Sequence, residues 1–187
     1  MELSDFKLTK SEQKQLLNIA KESVQQIVLH NNLIELKISE FESLNLDRGA
    51  FVTLKKDGHL RGCIGYTSAV QPLYVTVRNA AASAAVKDYR FSPVDKDEIE
   101  DLKYEISVLS PFRLIADINQ IKIGTHGLFI KNGDAEGLLL PQVAVENHWD
   151  VNTFLQQTCR KAGLPLDAWQ RKDTDIFRYS AFVFDEE

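Results

Sequence analysis

The sequence predicts an α+β fold, a largely antiparallel sheet with helices packed on it, and three observations carry that prediction. Apolar residues recur at helical spacing through the first thirty positions; two apolar runs flank an Asp57-Gly58 pair soon after; and strict alternation marks residues 102–108. The chain has 187 residues, 44% of them hydrophobic and 26% charged, a composition that argues against disorder or a fibrous architecture. That length favours one core shared by two unequal lobes over two independent domains.

The first element opens with Thr9-Lys10-Ser11-Glu12, a capping box in which the hydroxyl and the carboxylate satisfy each other's backbone donors. Leu16, Leu17, Ala20, Val24, Ile27 and Val28 then form one stripe, predicting an amphipathic helix over 9–30. From Gly49 to Tyr66 the Asp57-Gly58 pair supplies the positive φ angles of a two-residue turn, so a β-hairpin follows. Pro72 suits the first turn of a second helix that carries Asn79 to Val86 and ends before Tyr89. Leu102, Tyr104, Ile106 and Val108 alternate with Lys103, Glu105 and Ser107, a strand halted by Ser110-Pro111.

Gly124-Thr125-His126-Gly127 reads as a tight turn before a strand at 128–131, with Asn132-Gly133 turning into another strand at 137–140 that Pro141 ends. Val151, Phe154, Leu155 and Cys159 recur at helical spacing up to Lys161, with Gly163 and Pro165 stopping the helix. Cys159 therefore reads as core. The final strand spans 175–184, dense in Phe, Tyr and Val. No repeat, low-complexity tract or dividing linker interrupts the chain, so residues 1–187 read as a single domain.

Composition also excludes function classes. A net charge of −5 works against a polyanion, whose binding draws on clustered Lys and Arg, so nucleic acid is not an expected partner. No run approaches the roughly 18 apolar residues of a spanning helix. Residues 1–12 mix charged and polar types without the apolar block of a secretory signal, so a cytoplasmic location with no membrane partner is the expectation. Cys63 and Cys159 show no CxxC spacing and read as free thiols. No P-loop, GxGxxG, zinc-finger spacing or GxSxG elbow appears, no His has a partner at metal-ligand spacing, and no metal is expected.

Chemistry concentrates in Leu60-Arg61-Gly62-Cys63-Ile64-Gly65. A two-residue turn at Asp57-Gly58 would place Leu54 opposite Arg61, Thr53 opposite Gly62 and Val52 opposite Cys63, so that Arg61 and Cys63 project together. Gly62 and Gly65 weaken a strand unless a bulge, another backbone or a ligand needs the room.

This hexapeptide resembles the hallmark of the AMMECR family, whose bacterial members are called AmmeMemoRadiSam system protein A. Asp88-Tyr89-Arg90-Phe91-Ser92-Pro93, residues 107–111, 124–127 and 137–144, Glu146, Trp149 and residues 161–164 resemble further blocks of that family in the same order. The likeness covers nearly the whole chain. It implies a single AMMECR-type domain with a larger and a smaller lobe and a cleft between them, the hexapeptide as the functional element, and two companions in bacteria: a Memo-like protein and a radical S-adenosylmethionine enzyme. The resemblance names no particular cofactor, and the cofactor stays unknown from sequence.

Each candidate residue carries two readings. Cys63 is either small packing or a nucleophile activated by the nearby Arg61 cation. Arg61 either clamps the hairpin to a carboxylate such as Glu105 or holds an anionic ligand, with Gly62 and Gly65 giving that ligand room. Glu105 is either paired with a cation or a general acid or base beside Cys63, and His126 is either a turn residue or part of that site. Asp88 and Arg90 read as a structural ion pair holding the turn that follows, and stand as secondary site candidates. Two functions follow: a binding module for a peptide, small ligand or companion protein, or an enzyme in which Cys63, Glu105 and His126 act on a small anionic substrate held by Arg61.

Overall fold

Thr9 caps the first helix as its sequence requires: its hydroxyl accepts the Glu12 N–H, and the Glu12 carboxylate accepts the Thr9 N–H at 2.6 Å. In the computed structural model, which describes residues 7–186, this helix is α1, Lys10–His30, ended by Asn31 in the left-handed region. The first six residues of the polar N-terminal stretch lie outside the described residues.

The hairpin forms as β1, Ala50–Lys56, and β2, His59–Tyr66, turning through Asp57 and Gly58 at φ 51° and 76°. Helix α2 is Leu73–Val86, and β3 is Leu102–Leu109. The short β4, Arg113–Leu114, leads to β5, Gly127–Asn132, and β6, Ala135–Leu139, which turn through Gly133 and Asp134, one position later than Asn132-Gly133. The strand does stop short of Pro141, which also opens the next element: it heads α3, Pro141–Glu146, where its missing N–H costs nothing. Helix α4 is Val151–Lys161, with Gly163 at φ 73° beyond it.

The final strand expected over 175–184 is two strands, β7 at Asp175–Tyr179 and β8 at Ala181–Asp185, in different sheets. Ser180 divides them. Its N–H donates to the Ser110 hydroxyl, and the Ser110 N–H donates to the Ser180 carbonyl, each at 2.9 Å, which takes those groups out of either ladder.

The strands form two antiparallel four-stranded sheets, ordered β2-β1-β3-β8 and β4-β7-β5-β6. The chain correspondingly divides into two compact units, one holding Ser110–Ala181 and the other the described residues up to Leu109 together with those from Phe182. The single core expected from length is two. In one, Leu16, Ala20 and Val24 of α1 and Val77, Ala81 and Ala84 of α2 meet Val52, Leu54, Tyr104 and Ile106 of the sheet. In the other, Phe154, Leu155 and Cys159 of α4 meet Leu128, Ile130 and Ile176. The Cys159 thiol is fully buried there. Among the described residues no helix is long and apolar enough to cross a membrane.

Candidate functional site around Cys63

The hairpin register decides what the hexapeptide presents. Leu54 pairs with Gly62 but Lys55 pairs with Leu60, so Arg61 is an extra residue bulging from β2. The bulge shifts the expected register by one: Cys63 faces Thr53, not Val52, and Gly62 faces Leu54. A slip of one residue sends every side chain to the opposite face. Cys63 therefore leaves the sheet on the side away from the buried Val52 and Leu54, and Glu105 leaves on that same side, because it too pairs with Thr53. The signal was present in the sequence: bringing apolar Ile64 opposite Val52 requires one more residue than a regular two-residue hairpin provides.

Arg61 and Cys63 do not project together. The Arg61 guanidinium grips Glu98 through Nε at 3.0 Å and Nη2 at 2.7 Å, and donates to the Ser92 and Pro93 carbonyls at 2.9 and 3.2 Å. This pairing, with Lys56 alongside, holds the Glu98 carboxyl down to about 2. Arg61 is thus a clamp, with Glu98 and not Glu105 as its carboxylate. Glu105 pairs instead with Lys55 at 2.8 Å.

Strand β2 is a sheet edge, and an edge leaves backbone donors and acceptors exposed. At Cys63 those groups are taken by side chains: its N–H donates to Asp88 Oδ2 at 2.8 Å, and its carbonyl accepts from Arg90 Nη2 at 3.3 Å. Asp88 and Arg90 also bind each other at 2.7 and 2.9 Å. The pair stands in for a neighbouring strand, supplying one acceptor and one donor where such a strand would. Asp88 is buried, and the Arg90 guanidinium holds its carboxyl far below the usual carboxylate range.

The thiol is half-buried and accepts a hydrogen bond from the Thr53 hydroxyl at 3.3 Å. Burial pushes its pKa up; Thr53 and Arg90 oppose that, while Asp88 and Glu105 reinforce it. Arg61 supplies no activation.

The two glycines are explained by packing. A Cβ on Gly62 would come 2.3 Å from the Ala84 carbonyl oxygen, so α2 lies directly on this strand, and a Cβ on Gly65 would enter the Phe51 ring at 2.2 Å. Neither leaves a gap of its own for a ligand.

His126 belongs to the other unit. It is buried, its Nδ1 accepts the Lys122 N–H at 3.0 Å, and its Nε2 lies 3.2 Å from Arg178 Nη1, which also donates to the Gln120 carbonyl. Burial first, then Arg178 and Lys122, lower its pKa and keep the ring neutral. Its bonds are those of a structural residue.

Of the sequence candidates, then, Cys63, Asp88 and Arg90 meet directly, and Cys63 and Glu105 share one face on either side of Thr53. Thr53 and Lys55 belong to this face and Glu98 to the Arg61 clamp, and the sequence singled out none of the three as a site residue. Among the described residues no three His, Cys, Asp or Glu side chains gather as metal ligands.

These features define a class: an α+β protein of two antiparallel sheets in which a glycine-bearing edge strand is closed by an Asp–Arg pair. A family model described as AMMECR1 matches residues 17–184, and the chain belongs to that family. A protein of Methanothermobacter thermautotrophicus is 40% identical over 186 residues, covering 96% of this chain and 97% of that one. One of Methanocaldococcus jannaschii is 44% identical over 170 residues, covering 85% of each. The crystal structure of an uncharacterized protein from Pyrococcus horikoshii matches with a TM-score of 0.90 at 38% identity, covering 97% of this chain and 95% of that one.

Proposed function

We propose that this protein is a non-catalytic binding module, presenting the Thr53, Cys63 and Glu105 face of its first sheet to a separate polypeptide. The companions that the family resemblance implies, a Memo-like protein and a radical S-adenosylmethionine enzyme, are the partners proposed. One observation carries the reading: the groups that would run a reaction are committed to internal bonds. Arg61 spends its fork on Glu98, Ser92 and Pro93, and burial keeps the Cys63 thiol protonated. The competing enzyme, with Cys63 attacking a small anionic substrate held by Arg61, needs a free cation and a thiolate, and neither finds support in this arrangement.

The test is co-purification of the tagged chain at native expression. A Memo-like protein or a radical S-adenosylmethionine enzyme should be retained, and Glu105→Lys should release it. A chain that emerges alone while turning over a metabolite defeats the proposal.

A further inference from the structure

A second feature lies on the opposite, helix-packed side of strand β2. A cavity of about 310 Å³ opens where the end of α1, the outer face of α2 and the last residue of β2 meet. Tyr66 reaches it from the helix side of the sheet, because it pairs with the fully buried Ala50.

The cavity exists because α2 carries small residues where a neighbour would need large ones. Ala82 and Ser83 form its floor, and Ile27, Leu33 and Val86 its apolar wall. The volume is about twice the roughly 150 Å³ that accommodates a benzene ring, and falls at the small end of ligand pockets.

The neutral polar groups lining it are Tyr66, Ser83 and Asn79, the Asn79 amide being already bonded to Gln71 and Arg78. The Tyr66 and Ser83 hydroxyls are 3.2 Å apart and share a single hydrogen bond. Whichever donates, the other keeps its proton for an outside acceptor. Among the described residues the charged group lining the cavity is Lys87, an exposed ammonium just beyond α2, and no carboxylate is among the lining. An apolar body with one free hydroxyl donor and a cation on one flank is complementary to a single anionic head on a short hydrocarbon.

We propose that this cavity binds a small monocarboxylate with a compact apolar body of about six to ten carbon atoms. The carboxylate lies between Lys87 and the Tyr66–Ser83 hydroxyl pair, and the hydrocarbon lies against Ala82, Val86, Ile27 and Leu33.

The experiment is a titration of the whole chain with hexanoate, followed through the backbone amide resonances of Tyr66, Ser83 and Lys87. Saturable shifts at these three amides are expected, with 1-hexanol binding about tenfold more weakly for want of the charge-assisted contact. Lys87→Glu, an exposed change whose folding an unaltered melting temperature would confirm, should weaken hexanoate by about tenfold and turn the preference toward hexylamine. The proposal is overturned if no saturable shift appears up to millimolar hexanoate, if hexanol binds as well as hexanoate, or if Lys87→Glu leaves hexanoate binding unchanged.

Discussion

The two sheets share strand number, antiparallel direction and an apolar face packed on helices, and they part company on their other faces. In the first sheet that face carries Thr53, Lys55, Cys63 and Glu105. In the second, Phe129 lies opposite Phe177 with ring centroids 5.7 Å apart, and Phe112 stacks on Phe129 at 5.0 Å and meets Tyr179 at a tilt at 5.1 Å. Aromatic packing fills space and offers nothing to exchange. Hydroxyl, thiol, ammonium and carboxylate each hold a hydrogen bond that another molecule can replace. Strand geometry is common to both sheets, so it is side-chain chemistry that makes the first the place to look for function.

Four experiments can break or sharpen this contrast. The largest effect should come from Gly62→Val, which drives a side chain into the Ala84 backbone and should cost about 3 kcal/mol in denaturant unfolding of the first unit. A variant as stable as the parent would show that α2 does not rest on this strand. Next, Asp88→Ala should cost about 2 kcal/mol by stranding the Cys63 N–H and removing the anchor of Arg90, and should speed hydrogen exchange at the Cys63 amide while leaving the second sheet's amides protected.

Smaller, and opposite in location, is the response to acid. Asp88 and Glu98 titrate lower in the folded chain than in the unfolded one, so the unfolded state takes up protons first. Their contribution is complete above about pH 4.5; that of Glu98 is lost as pH falls toward about 2, and that of Asp88 at still lower pH. His126 is also lowered from 6.5, so its contribution is complete above that value and drains away as pH falls below it. Acid should therefore loosen the second unit before the first, as read by amide exchange, and His126→Gln should abolish the earlier step. The smallest effect concerns reactivity: Thr53→Val removes the bond that favours the thiolate, so iodoacetamide should alkylate Cys63 a few-fold more slowly at neutral pH. An unchanged rate would detach the thiol from the sheet face.

Features written in consecutive residues were legible from sequence. The Thr9–Glu12 capping box, the Asp57-Gly58 turn and the alternation through Ile106 each lie within a few positions, and each forms as expected. What was hidden depends on distant partners. Nothing near Arg61 announces Glu98 as its carboxylate, and the bulge that separates Arg61 from Cys63 follows from matching two strands rather than from the turn that joins them. The break at Ser180 was hidden differently: the residues on both sides favour strands, and only the reciprocal bonds with Ser110 divide them. Asp88 and Arg90 were recognised as an ion pair, but their grip on the Cys63 backbone spans 25 and 27 positions.

Strand β8 has a consequence for how the molecule is made. The described part of the second unit, Ser110–Ala181, is one stretch of chain, whereas the first sheet is completed by β8, which is made only after the whole of that stretch. During synthesis the earlier half must wait as a three-stranded sheet with β3 as an open border, while the later half already has every residue it needs. Emergence of β8, rather than of the N-terminal half, is then the event that closes the sheet carrying Cys63.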